Sequence, residues 1–278
     1  MCRAAISLVC NLAFMRVIRL TLRLCAICLA TAGIYFVWLV GLVLLFAFKS
    51  ARYRWRNFIL RNWAKVIAAI LGMTITVQGK PPRAPFFLVA NHLSYVDIIA
   101  LASRLDCVFV AKSEIRDWFI IGLLCRSFDM IFVDRNRRND LPRVIGLMEA
   151  AWQKHQGVIL FPEGTSSKGE AVLPFKPSLL EIAVRTATGV HFAALSYQTP
   201  PDERPAYLSV CWWGDMTLAP HALDLLRLRE FSATLVFGDE IFIEADRKIL
   251  AQKLHHAIEN HFTPVVLSGE EREAVTIT

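Results

Sequence analysis

A histidine and an aspartate lie five residues apart in a polar turn that follows an apolar run, Phe86-Phe-Leu-Val-Ala-Asn91-His92-Leu-Ser-Tyr-Val-Asp97. On one regular helix a five-residue step turns by about 140°, so the two side chains would diverge. If His92 instead lies in the turn and Asp97 in the first turns of a helix, the carboxylate can accept from one ring nitrogen. The other nitrogen then stays free to take a proton. The spacing predicts a general base; the alternative is a helix cap of the type Ser94-x-x-Asp97, with His92 as a turn residue.

The sequence offers no serine nucleophile to complete a triad. It has no Gly-x-Ser-x-Gly elbow, and the run from Gly164 to Gly169 has its lysine and glycine in the wrong order for a P-loop. A substrate alcohol would then supply the nucleophile. His255, His256 and His261 have no carboxylate or thiolate at ligand spacing, so they predict a solvated helix face rather than a metal site.

Two further polar motifs follow apolar runs. Ile131-Phe-Val-Asp-Arg135 carries an arginine just past its run, and Phe161-Pro-Glu-Gly-Thr165 ends its run in an acidic turn. In α/β sheets ligands bind beyond the carboxyl ends of the strands, so motifs at three strand ends can converge on one crevice. Each motif taken separately is also compatible with a surface turn.

The elements that must position these motifs form an α/β body. From Met73 onwards short β-like runs alternate with helical patterns, and several runs are continuously apolar, as in a sheet covered on both faces. We expect a mixed, largely buried sheet flanked by helices. The predicted strands are 74–77, 86–90, 107–111, 130–133, 158–161, 191–197, 207–213 and 233–237. The predicted helices of the body are 97–104, 114–127, 139–155, 176–187, 218–229 and 246–261.

The N-terminal third is apolar and basic. The chain of 278 residues is 55% hydrophobic and only 20% charged, too apolar for a disordered chain or an ordinary soluble enzyme. Residues 1–96 hold twelve basic residues and no acidic one, whereas the remainder holds 19 basic against 24 acidic residues. This split argues against a nucleic-acid-binding domain, whose positive charge should lie on the folded body. It fits an N-terminal segment held at an anionic membrane surface.

One uncharged stretch, residues 25–48, is about 36 Å long as a helix and can span a hydrocarbon core of about 30 Å. It is too long for a signal peptide and lacks a small-residue cleavage site. More cations follow the stretch than precede it, which favours a cytoplasmic body. Arg16, Arg19 and Arg23 predict an amphipathic interfacial helix before it. The helix predicted over 53–72 is either interfacial too or packed on the body.

We therefore expect a membrane-anchoring region at 1–72 and a catalytic domain at 73–278. A re-entrant or monotopic arrangement of the anchoring region stays open beside a transmembrane one.

Taken together, the motifs resemble the glycerolipid acyltransferase family of 1-acylglycerol-3-phosphate acyltransferases, most strongly over 74–196. The segment Asn91-His92-x4-Asp97 is similar to the first family motif. This resemblance implies that His92 is the catalytic base and Asp97 its partner. The other motifs imply contacts with the acceptor lipid, made by Lys112, Arg135, Glu163, Gly164, Thr165 and the neighbouring Ser166.

Two positions depart from the family pattern. The third motif usually continues with an arginine where this chain has Ser166, and the proline of the fourth motif is replaced near His191. A hydroxyl cannot replace the charge of an arginine, so Ser166 puts the phosphate of the acceptor in doubt.

The resemblance implies an acyltransferase that moves a fatty acyl group from acyl-CoA or acyl carrier protein to the free hydroxyl of 1-acylglycerol-3-phosphate in phospholipid biosynthesis. It implies no permanently bound cofactor or metal, and membrane lipids, the lysolipid and the thioester as partners, without nucleic acid. Three alternatives stay open. They are another acceptor such as a lyso-ornithine lipid, a lipid-binding protein with an inactive site, and a hydrolase that uses the same histidine with water.

Overall fold

The structure is a computed structural model that describes residues 2–134 and 140–266. Its described strands form one seven-stranded sheet with helices on both faces. The strands are β1 (Met73–Gln78), β2 (Phe87–Ala90), β3 (Cys107–Lys112), β4 (Ile131–Val133), β5 (Gly157–Leu160), β6 (Val190–Gln198) and β7 (Phe231–Phe237). The helices are α1 (Cys2–Leu44), α2 (Lys49–Leu71), α3 (Val96–Ala102), α4 (Phe119–Ser127), α5 (Leu141–Gln153), α6 (Glu181–Arg185), α7 (Ala206–Ser209), α8 (Leu218–Arg227) and α9 (Arg247–His261).

The sheet is mixed, as predicted. The strand order is β1-β7-β6-β2-β5-β3-β4, and the β6–β7 pair is antiparallel whereas the other neighbours are parallel. The carboxyl ends of β2, β3, β4, β5 and β6 therefore share one edge of the sheet. The motifs that follow these strands are brought to that edge.

Both faces of the sheet are covered. All four residues of β2 are buried. Leu88 and Ala90 pack in the layer that holds α2 and α3, and Phe87 and Val89 pack in the layer that holds α5 and α9. Burial on both faces explains why the run over β2 is continuously apolar rather than alternating.

One predicted strand is wrong. The segment 207–213 forms α7 and a following loop instead of a strand. Tyr207, Val210 and Cys211 are buried there, so the run is apolar because of burial and not because of strand pairing. A short apolar run bounded by Pro205 does not distinguish these two states.

The sequence left two alternatives for the helix predicted over 53–72, an interfacial helix or one packed on the body. The structure shows the second. Ile59, Ile67 and Leu71 of α2 are buried in the core against the sheet. The helix ends at Gly72, whose φ of 72° is left-handed and whose N–H donates to the carbonyl of Ala69. A Cβ at Gly72 would lie 2.7 Å from the carbonyl oxygen of Arg229, so this turn requires glycine.

The membrane stretch and the basic segment before it form one helix, α1. Its part Phe14–Leu44 is long and apolar enough to cross a membrane. One face of α1 nevertheless packs on the body between residues 20 and 38, through Leu20, Ile27, Ile34 and Trp38. The opposite face exposes large apolar side chains that include Leu22, Leu29, Phe36 and Val40.

Two of the three arginines in the basic segment bind the body. Arg19 donates to the carbonyl of Arg227 at 2.9 Å, and Arg23 donates to the carbonyls of Leu228 and Arg229. These carbonyls lie at the carboxyl end of α8, where backbone acceptors lack helical partners and a cation is stabilised by the helix dipole. The two arginines thus attach α1 to the body.

Candidate active site

His92 and Asp97 meet at the edge of the sheet. His92 lies in the turn between β2 and α3, Asp97 lies in the first turn of α3, and His92 Nδ1 is 2.7 Å from Asp97 Oδ2. The carboxylate can only accept, so the ring donates from Nδ1 and its Nε2 is the acceptor. The predicted geometry of a turn histidine paired with a helix aspartate is present.

Asp97 is fully buried and is held by several donors. Its Oδ2 also accepts from the backbone N–H groups of Leu93 and Ser94, at 2.8 and 3.1 Å. Its Oδ1 accepts from the hydroxyl of Tyr197 at 2.6 Å. Buried carboxyl groups are stabilised by such donors, so Asp97 is a fixed hydrogen-bond partner for the imidazole.

The alternative of a Ser94-x-x-Asp97 helix cap is confirmed only in part. Helix α3 has Tyr95 at its N-cap position without a side-chain hydrogen bond, and Ser94 Oγ is a buried atom without a hydrogen-bond partner among the described residues. The carboxylate half of the cap is present, because Asp97 accepts from the backbone N–H of Ser94, and His92 lies in the turn. The residues between His92 and Asp97 thus fold around the carboxylate.

The ring of His92 is held flat against Phe161 at the end of β5. The two ring centroids are 4.3 Å apart and their planes are 16° apart. The side chain is still 21% exposed, so part of the ring is accessible from solvent. Stacking and the Asp97 hydrogen bond together fix the ring, with Nε2 as its remaining hydrogen-bonding nitrogen.

Glu163 joins the turn after β5 to the turn after β2. Its Oε1 accepts from the backbone N–H of His92 at 2.7 Å, and its Oε2 accepts from the backbone N–H of Leu173 at 3.1 Å. The side chain is only 3% exposed. Both oxygens therefore contact the protein's own backbone, and the acceptor contact expected of Glu163 stays a prediction.

Burial raises the pKa of Glu163 to about 8, although the N–H donors of His92 and Leu173 lower it, and the charge of Asp97 adds to the rise. Desolvation of the charged form is the largest cause. The carboxyl of Glu163 is therefore largely protonated at neutral pH, in contrast to a solvent-exposed glutamate.

The structure also contains positioning residues that the sequence did not single out. Asn91 continues the pairing of β2 with β6, because its side chain accepts from the N–H and donates to the carbonyl of Leu195, at 2.7 and 3.0 Å. The backbone N–H of Trp212 donates to the carbonyl of Leu93 at 2.8 Å. Tyr197 is the last residue of a predicted strand. Its closeness to Asp97 depends on the order of the strands in the sheet, which the sequence does not give.

Ser166 contacts the loop that had been predicted as a strand. Its hydroxyl donates to the carbonyl of Trp212. Nearby, Lys168 forms an ion pair with Glu170 at 2.9 Å. The hydroxyl of Ser166 is thus committed to the protein backbone.

The remaining predicted acceptor contacts are placed as follows. Gly164 lies in the turn after β5 with a φ of 74°, which a side chain would strain, and Thr165 beside it is exposed. Lys112 is exposed at the carboxyl end of β3. Arg135 lies outside the described residues. Among the residues that the structure describes, no group of three potential ligands could hold a metal ion.

A family model described as Acyltransferase matches residues 74–198. A lyso-ornithine lipid O-acyltransferase of Rhizobium meliloti is 33% identical over 232 residues, 79% of this chain and 79% of that protein. A 1-acyl-sn-glycerol-3-phosphate acyltransferase of Neisseria meningitidis is 30% identical over 167 residues, 57% of this chain and 66% of that protein. This chain belongs to the acyltransferase family. The family inferred from the motifs is confirmed.

The acyltransferase fold extends over most of the chain. The crystal structure of PlsC, the 1-acyl-sn-glycerophosphate acyltransferase of Thermotoga maritima, is similar with a TM-score of 0.57 and 22% identity. The match covers 86% of this chain and 95% of that chain. The chain is thus an acyltransferase of the lysophospholipid or lyso-ornithine lipid type, and its apolar N-terminal helix indicates association with a membrane.

Proposed function

We propose that this acyltransferase esterifies the free hydroxyl of a lyso-ornithine lipid, with His92 as the general base. The observation that carries the catalytic part is the hydrogen bond of 2.7 Å between His92 Nδ1 and the buried Asp97. It fixes the tautomer in which Nε2 can accept a proton.

The reaction proceeds by direct attack of the acceptor hydroxyl on the thioester. Nε2 of His92 removes the hydroxyl proton as the oxygen forms a bond to the thioester carbonyl carbon. The tetrahedral oxyanion then collapses, the C–S bond breaks, and the imidazolium returns the proton to the leaving thiolate. General-base catalysis of this kind contributes about 10²- to 10⁴-fold.

Asp97 and Glu163 have different roles in this scheme. Asp97 stabilises the imidazolium that forms during attack, because it is buried and remains a carboxylate held by backbone donors. Glu163 is a positioning residue, because it binds the backbone of His92 and of Leu173. We assign the head-group contact to Arg135 and to the turn at Gly164 and Thr165.

The head group of the acceptor is inferred from Ser166. In the family pattern an arginine at this position would join Arg135 on a phosphate. Here the hydroxyl of Ser166 donates to the carbonyl of Trp212, and so it does not replace that charge. An ornithine head group presents a single carboxylate beside an ammonium, for which one bidentate arginine suffices. The longer match to the lyso-ornithine lipid O-acyltransferase supports the same acceptor.

Lysophosphatidate is the second candidate acceptor, because the motifs after β2 and β5 also fit the family that uses it. It requires another cation to assist Arg135. Lys112 is exposed at the same edge of the sheet and is the residue that could do so. The acyl donor is a thioester, either acyl-CoA or acyl carrier protein.

We propose that the catalytic body lies on the cytoplasmic side, because the anionic lipids of the cytoplasmic leaflet attract the basic N-terminal third. The contacts of α1 support a monotopic arrangement. Thr31 accepts from the indole of Trp63 at 3.1 Å, and Trp38 is buried against the body. A helix that packs on the body at these positions does not stand alone in a bilayer.

The acceptor is tested by measuring kcat/KM of the full chain in detergent micelles with lyso-ornithine lipid and with lysophosphatidate of the same acyl chain. Loss of one charge-assisted hydrogen bond lowers affinity by roughly ten- to a hundredfold. We therefore expect kcat/KM to be higher for lyso-ornithine lipid than for lysophosphatidate by at least about that factor. Equal or better use of lysophosphatidate would assign the second candidate instead.

A further inference from the structure

Helix α4 exposes a cluster of large apolar side chains at its amino end. Phe119 is 93% exposed and Ile120 is 63% exposed. Among the residues of α4, only Gly122 is buried. We call the segment 118–123 the wedge; its exposed apolar residues are Trp118, Phe119, Ile120, Ile121 and Leu123. Five exposed large apolar side chains in six consecutive positions mark this end of the helix as an interaction site.

The wedge follows the edge of the sheet that holds the active site. It is separated from Lys112, at the carboxyl end of β3, by a single 3-10 turn over Ser113–Asp117. Strand β3 is the neighbour of β5, whose end carries Glu163. A partner of the wedge would therefore lie beside the edge of the sheet at which His92 and Glu163 lie.

The far end of α4 contacts α1, the helix that carries the candidate membrane span. The hydroxyls of Tyr35 and Ser127 are 3.0 Å apart, and the rings of Trp38 and Phe128 are 5.5 Å apart between centroids. Phe36 and Val40 of α1 are exposed beside these contacts. The apolar surface of α1 thus approaches α4 at the end opposite to the wedge.

Two cations lie together beside the wedge. Arg116 precedes it, and Arg126, in the last turn of α4, donates to the carbonyl of Arg116; both side chains are exposed. Exposed arginines beside a patch of tryptophan, phenylalanine and isoleucine are typical of elements that insert below anionic head groups. A protein partner of matching apolar shape would not require these cations.

We propose that the wedge inserts into the same bilayer leaflet as α1 and holds the mouth of the active site at the lipid surface. The membrane thereby contacts the body at two places, the exposed face of α1 and the amino end of α4. Acceptor lipid can then enter the crevice without leaving the leaflet. This contact does not depend on His92 or on the identity of the acceptor.

Direct contact is tested by photo-crosslinking the full chain in vesicles of phosphatidylethanolamine and phosphatidylglycerol. Phe119 is replaced by p-benzoylphenylalanine, and Ile241 is replaced in the same way as a control. Ile241 is also exposed, next to Phe242, which pairs with the opposite, amino end of β6. We expect phospholipid adducts at position 119 and not at 241. Adducts to a second copy of the chain, equal labelling at both positions, or no lipid adduct at 119 would overturn the proposal.

A second experiment measures the function of the contact. The double variant Phe119→Asp/Ile120→Asp should lower transfer to a long-chain acceptor in vesicles by roughly tenfold or more, since two apolar side chains lose their insertion. Transfer to a short-chain acceptor dissolved as monomers should change by less than about twofold. The control variant Ile241→Asp/Ile243→Asp should retain both activities. An equal loss on both acceptors would mean that the wedge stabilises the catalytic domain itself, and it would contradict the proposal. An inactive wild type would contradict only the proposed function.

Discussion

The Tyr197 hydroxyl donates a hydrogen bond of 2.6 Å to Oδ1 of Asp97, the carboxylate oxygen that His92 does not contact. Tyr197 is buried, and burial together with the charge of Asp97 raises its pKa well above the usual range. The phenol therefore stays protonated and remains a donor at any pH at which the enzyme works. His92, Asp97 and Tyr197 form a chain of three side chains that links β6 to the turn after β2.

Tyr197→Phe should lower kcat by about tenfold with little change in KM, because removing a hydrogen bond to a charged group costs about 1.5 to 3 kcal/mol. Tyr207→Phe, at another buried tyrosine, is the control and should leave both kcat and KM in place. An unchanged kcat in Tyr197→Phe would show that the tyrosine does not act through Asp97.

Asp97→Asn should lower kcat by about 10²- to 10⁴-fold while substrate binding is largely kept, because the amide no longer enforces the tautomer of His92. Tyr197 acts through Asp97, so the effects of Tyr197→Phe and Asp97→Asn should not add in a double-mutant cycle. Thermal melting of each variant controls for folding. Additive losses in kcat would contradict the coupling.

The sequence predicted this site in part. His92, Asp97 and the turn at Glu163 could be found because each polar motif follows a continuous apolar run, and parallel strands bring such ends together. The closeness of Tyr197 could not be predicted, because it requires β6 to lie beside β2, a pairing between segments about a hundred residues apart.

The contacts of Trp212 were missed for a different reason. The apolar pattern of its segment predicts a strand, yet the segment is buried as a short helix and loop that contact Leu93 and Ser166.

The covering of α2 could not be predicted either. The periodicity of α2 indicated an apolar face without showing whether lipid or protein covers it. Only the packing of Ile59 and Ile67 against the sheet distinguishes the two.

Glu163 predicts a pH dependence of stability. Its pKa is about 8 in the folded protein against a usual 4.5, so the folded state binds more protons between these values. Stability contributed by Glu163 is therefore present at low pH and is lost as the pH rises through about 8. We expect the difference in unfolding free energy between wild type and Glu163→Gln to fall by a few kcal/mol at most from about pH 5 to about pH 9. Denaturant unfolding in detergent measures this, with exposed Glu149→Gln as control. A difference that is independent of pH would mean that Glu163 is ionised throughout.

Ser166→Arg should raise kcat/KM for lysophosphatidate by roughly tenfold or more, because it restores a charge-assisted hydrogen bond to phosphate. It should not improve use of lyso-ornithine lipid. Ser166→Ala removes the contact with the Trp212 carbonyl without adding charge, and it separates the two effects. If the arginine leaves lysophosphatidate transfer unchanged, Ser166 does not determine the acceptor.

The most direct test is acyl transfer to lyso-ornithine lipid by wild type and His92→Ala, purified in the same detergent. His92 is the base that the geometry provides, so kcat/KM should fall by about 10²- to 10⁴-fold while thermal stability is kept. His256→Ala, at an exposed position on α9, should retain wild-type activity. Retention of more than about a tenth of wild-type transfer by His92→Ala would contradict general-base catalysis by this residue.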